Sequence, residues 1–98
     1  MRVSKNDLLQ LIGQMAKDAV GSVNLGIDLD AVQRLQTPTP RFASQEQFDI
    51  EEAELRQTVE EIISSASRVA RRSDRNTIKR SDVDEALSTY ACHLLWLC

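Results

Sequence analysis

Aromatic residues are nearly absent from this 98-residue sequence: Phe42, Phe48, Tyr90 and Trp96 are all it holds. A core built here must rest on medium-sized aliphatic side chains, and at this length a single core is only marginally self-sufficient. Burial across a subunit interface is therefore expected. Glycine occurs three times, which leaves no glycine-rich loop to cradle a phosphate. The two cysteines, Cys92 and Cys98, flank the single histidine, His93. Two thiols make no disulfide framework, and one histidine beside them completes no zinc site, so reduced cysteines on an apolar helix are expected and no metal or cofactor is implied. No apolar run approaches the ~20 residues needed to cross a bilayer. Met1–Lys5 is not followed by the unbroken apolar stretch of a secretory signal. A soluble, intracellular protein is the expectation, with no membrane partner.

Charge is plentiful but unevenly placed. The formal net charge is −3, and 28% of the residues are charged. Residues 68–80 carry Arg68, Arg71, Arg72, Arg75, Lys79 and Arg80 against Asp74 alone, a local +5, whereas the remainder holds six bases and fourteen acids, a net −8. A basic block concentrated in an acidic chain is the electrostatic footprint of a polyanion partner. Catalysis has little support, because His93 has no nucleophile and carboxylate at a recognisable spacing. No catalytic residue is assigned.

Periodicity divides the chain into helices. Residues 4–20 place Leu8, Leu11, Ile12, Met15 and Ala19 on one stripe behind Ser4 and Asp7 in N-cap and capping-box positions, with Gly21 as the stop. Residues 28–36 carry Leu29, Val32 and Leu35 and end at the Thr-Pro-Thr-Pro of 37–40. An extended RFAS link at 41–44 offers Ser44 as the next cap. From Gln45 to Ser73 there is neither Gly nor Pro, and Phe48, Leu55, Val59, Ile62, Ile63, Ala66, Val69 and Ala70 recur at helical spacing. That predicts a rod of roughly 27 residues, ~40 Å long. After a turn at 74–78, Val83, Ala86, Leu87, Tyr90 and Leu94 mark a last helix. No strand-length alternation and no internal repeat is evident. The rod retains apolar surface after the short helices cross it, which asks for a second copy.

The stretch RNTIKRSDVDEAL, residues 75–87, resembles the second loop and third helix of the histone fold, in its archaeal, tail-less form in particular. SSASRVARRSDR at 64–75 is similar to the end of the histone central helix, DAVQRLQ at 30–36 to the first helix and RFAS at 41–44 to the first loop. The likeness spans residues 27–90 and is strongest over 62–87. It implies an all-α histone fold (short, long and short helix) with an accessory helix at 1–22 in front, a histone-fold core at 27–90 and an apolar extension at 91–98. In that fold the long helices of two chains cross antiparallel in an intertwined dimer, and each first loop lies beside the partner's second loop. Thr77 and Ile78 would then bridge to the partner's Phe42 region, and Arg75 would pair with Asp82 to close the loop. Arg72 stands where archaeal histones commonly use His, which suggests an Arg72–Asp82 contact.

The resemblance implies non-specific binding of double-stranded DNA, which reads bendability rather than base sequence. Arg41 would enter the minor groove, Arg34 would reach phosphate from the first helix, and Arg75, Thr77 and Lys79 would hold the backbone. Its expected place is the nucleoid or chromosome, or the nucleus in a eukaryote. A homodimer is the expected unit. The alternative is a histone-fold subunit that pairs with a different histone-fold chain in a transcription or chromosome-associated complex, where DNA contact is optional. The acidic overall balance favours that alternative.

Overall fold

A computed structural model describes residues 1–37 and 44–90. Arg41 and Phe42, and the extension at 91–98 with Cys92, His93, Trp96 and Cys98, lie outside the described residues. The elements are β1 (Arg2–Ser4), α1 (Lys5–Ser22), β2 (Gly26–Ile27), α2 (Leu29–Leu35), β3 (Gln47–Asp49), α3 (Glu52–Arg72), β4 (Thr77–Ile78) and α4 (Arg80–Tyr90). The chain is mostly helical, with two very small sheets among the described residues.

Helix α1 forms where its apolar stripe and its cap agree. The Asp7 N–H donates to Ser4 Oγ at 3.2 Å, satisfying one orphan donor of the first turn. Leu8, Ile12, Met15, Ala16, Ala19 and Val20 are buried along one face. Gly21 does not end the helix. The helix runs on to Ser22 and stops where the Val23 N–H turns back to the Val20 carbonyl and Asn24 takes a left-handed φ of 56°. Helix α2 buries Ala31, Val32 and Leu35. It can lie close to α1 because Gly13 has no Cβ, which would run into the Gln36 side chain. The Gln36 amide instead donates to the Leu9 carbonyl at 2.9 Å.

The long rod is shorter than its sequence implies. Helix α3 covers 21 residues, about 31 Å, which fits within the 39 Å long dimension of the molecule. Residues 45–51 are not helical, and Ser44 is not the cap; Glu51 is, without a side-chain hydrogen bond. Residues 47–49 form β3, antiparallel to β1, with Val3 opposite Phe48. The Lys5 N–H also donates to the Glu46 carbonyl. Helical periodicity placed Phe48 on the rod, but pairing with β1 outweighs local propensity here. Phe48 still packs against the core, from a strand.

The N-terminal helix packs into the core. Its buried residues belong to one cluster with Leu55, Val59, Ile62, Ile63, Ala66, Ile78, Val83, Ala86 and Leu87. The apolar surface expected to be left over on the long helix is covered within the same chain. Among the described residues the large hydrophobics left exposed are Met1 and Leu29, the latter at 69%.

The bridge made by Thr77 and Ile78 also has a different partner. Strand β4 pairs in parallel with β2 of the same chain, Gly26 opposite Thr77 and Ile27 opposite Ile78. Backbone bonds from the Gly26 N–H to Asn76 O and from the Asp28 N–H to Ile78 O, both 2.9 Å, lock that register. Residues 26–27 sit just upstream of a short helix and carry a β-branched residue beside a glycine, so they take the place expected of the Phe42 region.

The elements pair like with like: β1 with β3, β2 with β4, α1 against α3 and α2 against α4. This is the pattern of an internal two-fold relating two strand–helix–strand–helix halves. Because β1–β3 joins the N-terminal ends of α1 and α3 and β2–β4 joins their C-terminal ends, these helices run in the same direction rather than antiparallel. The repeat, not evident from composition, is visible once aligned on the helix ends. Ile12, Ala16 and Val20 correspond to Ile62, Ala66 and Ala70, all buried, and the left-handed Asn24 corresponds to Asp74, φ 57°. Beyond one additional residue in the second loop, Ile27, Val32 and Leu35 correspond to Ile78, Val83 and Ala86.

A candidate polyanion-binding face

The C-terminal third of α3 carries arginines for a local reason and presents them for a geometric one. Arg71 and Arg72 lie in its last turn, where cations offset the partial negative charge of unsatisfied carbonyls. The helix closes in a Schellman arrangement. The Asp74 N–H donates to Arg71 O and the Arg75 N–H to Ala70 O, both at 3.0 Å, around the left-handed Asp74. Since Ile62, Ala66 and Ala70 face the core, Ser65, Arg68 and Arg72 fall on the outer side of the helix. There Ser65, Arg68, Val69, Arg71, Arg72 and Glu85 line an open concavity of about 610 Å³.

The following loop is tied down by one carboxylate. Arg75 Nη2 donates to Asp82 Oδ1 at 2.5 Å, and the Lys79 N–H donates to Asp82 Oδ2 at 2.9 Å. Asp82 is 1% exposed. One buried carboxylate thus caps α4 and ties down the loop that delivers Ile78 to the core, each of its oxygens meeting a donor as burial of a polar group requires.

The site residues expected from the sequence are distributed unequally over this arrangement. Arg75, Thr77 and Lys79 share this loop, but the Arg75 guanidinium is engaged with Asp82. Thr77 is half-buried in β4. Lys79 is exposed and its side chain has no partner among the described residues. Arg34 bonds to Asp84 at 2.6 Å, joining α2 to α4. Arg41 lies outside the described residues. The Arg72–Asp82 contact does not form: Arg75 occupies Asp82, and Arg72 reaches Glu85 at 3.3 Å instead.

Arg68, Arg71 and Arg72 belong to the basic block but had no place among the expected site residues. Their sequence signal is the placement of Arg68 and Arg72 four residues apart, out of phase with the buried Ile62, Ala66 and Ala70. Arg71 also reaches the end of α1, donating to the Val23 carbonyl at 2.8 Å. Arg68, Lys79 and Arg80 have no protein partner among the described residues. Guanidinium groups converging on an open, shallow surface suit phosphate oxygens, which they meet with paired N–H donors. Among the described residues no cluster of side chains could hold a metal ion, and no helix is long and apolar enough to cross a membrane. No family model matches the chain, and neither the curated proteins nor the solved structures provide a match.

Proposed function

We propose that this chain is a histone-like protein that binds double-stranded DNA non-specifically, in a binding rather than a catalytic role. In this reading α3, β4 and α4 form a histone-type helix–strand–helix unit whose bridging strand is supplied by the same chain. The observation that carries it is the open arginine concavity of Arg68, Arg71 and Arg72 within a segment of net +5, adjoining the exposed Lys79 and Arg80 at the entry to α4. Arg75 has a structural part, holding the loop through Asp82. Shape and charge of this kind contact the phosphate backbone and carry no base-specific readout.

The test is a salt titration of binding to a short duplex. Three to five phosphate contacts give a log–log slope of about −3 to −5, so affinity falls about 10²–10³-fold between 50 and 200 mM salt. Arg68→Ala should weaken binding equally for unrelated sequences and flatten the slope by about 1. Absence of binding at low salt, or an Arg68→Ala variant identical to the parent, refutes the assignment.

A second reading is supported by the internal ion pairs. Arg34, Arg72 and Arg75 each already face a carboxylate, and the chain outside residues 68–80 is strongly acidic. A protein-pairing subunit, joined to a copy of itself or to another histone-fold chain, has this balance. It predicts stable association with a protein partner and no salt-dependent affinity for DNA.

A further inference from the structure

The internal two-fold gives each surface position of the second half a counterpart in the first, and the charges do not match. Aligned on the helix ends, Arg68, Arg71 and Arg72 of α3 correspond to Asp18, Gly21 and Ser22 of α1. Lys79, at the start of α4, corresponds to Asp28 at the start of α2, and the next acidic side chain there is Asp30. At these positions the first half is neutral to acidic where the second is cationic; the cations it does carry nearby are Lys17, beside Asp18, and Arg34, which stands where α4 has Glu85 and is paired with Asp84. Asp18 also lies 3.8 Å from Arg56 of α3, in an ion pair exposed to solvent.

We infer that the chain is a one-sided DNA binder: it holds a single duplex on the second-half face and does not bridge two. This rests on the DNA-binding reading and adds valency to it. Bridging two duplexes needs two cationic faces on one particle. Here the fold provides two equivalent positions for such a face, and the sequence equips one of them. A polyphosphate approaching the end of α1 meets Asp18, Gly21 and Ser22 in place of three arginines, with Asp28 and Asp30 beyond them, so a second attachment finds no matching cluster of cations.

The same correspondence shows how a second face could be installed. Asp18, Gly21 and Ser22 are exposed, and a Cβ added at Gly21 meets nothing within 4 Å, so Asp18→Arg, Gly21→Arg and Ser22→Arg can be combined without touching the core. The experiment immobilises one duplex on beads and asks how much of a second, labelled duplex the protein retains, in low salt. The parent should bind the immobilised duplex and retain no more labelled duplex than protein-free beads. The triple variant should retain at least about tenfold more, because a second attachment point acts at high effective concentration. Circular dichroism of the variant verifies that the fold is kept. Retention of labelled duplex by the parent overturns the inference, as does a folded triple variant that binds the beads but recruits nothing. If the parent does not bind the immobilised duplex at all, the DNA-binding reading itself fails, and the inference with it.

Discussion

Asp82 shows how one residue can decide a loop. Its carboxylate is almost fully excluded from water and serves two donors at once, the Arg75 guanidinium and the Lys79 N–H. Removing it strands a partly buried guanidinium and an uncapped helix start together. Asp84, two residues on, pairs with Arg34 at a similar distance, but its side chain is 50% exposed. Water can replace what that pair loses, and exposed pairs of this type are worth ~0–1 kcal/mol. Asp82→Ala should therefore cost about 2–4 kcal/mol and Asp84→Ala less than about 1 kcal/mol, measured by urea denaturation at neutral pH. Equal costs would mean that burial does not distinguish the two carboxylates. The pairing of Arg75 with Asp82 joins residues seven apart, and it was expected only through the resemblance of RNTIKRSD to a histone loop. The exchange of Asp82 for Glu85 as the partner of Arg72 was not, because it depends on which face of α4 turns towards α3.

At the scale of elements, helices were legible and strands were not. The stripe of Leu8, Ile12, Met15 and Ala19 marks α1 to within two residues of its observed ends, and Val32 and Leu35 do the same for α2. A helix repeats its apolar signal over several turns. Strands of two or three residues, such as β2 and β4, are too short to show alternation, and only their partners define them. The same blindness extended the long helix back to Gln45, since nothing local separates a helix start from a strand that will meet β1. Nor does the stripe on α1 say against what it is buried, which only the packed core shows. The internal two-fold makes the contribution of α1 measurable. Ile12 on α1 and Ile62 on α3 occupy equivalent, fully buried positions. Ile12→Ala and Ile62→Ala should each lower stability by about 2–5 kcal/mol, the range for a large-to-small change in a packed core. If α1 merely rested on a finished core, Ile12→Ala would cost well under half as much as Ile62→Ala. Equilibrium denaturation of the two variants side by side decides the matter.

For the whole molecule the question is whether one chain closes its own core. A second copy was expected because a rod of roughly 27 residues would outrun a small domain and leave apolar surface bare. Both premises change in the structure: α3 is 21 residues long, and α1 lies against it. The radius of gyration is 12.8 Å, and a self-contained globule of this length should have about 12.6 Å. An arm-exchanged half of an intertwined dimer would be more extended. The strand pairing that would have crossed between subunits, with Ile78 at its centre, is completed by Ile27 within the chain. Coupling of folding to association has a specific signature, because the stability of an obligate dimer rises with protein concentration by mass action. The expected outcome is an 11.0 kDa species by light scattering, with a urea midpoint that does not move over about a hundredfold range of concentration. A midpoint that climbs with concentration would place part of the stabilising surface between chains. It would also return to consideration the second copy that the apolar periodicity first demanded. A constant midpoint instead makes the single chain, with its one cationic face, the unit that meets a polyanion.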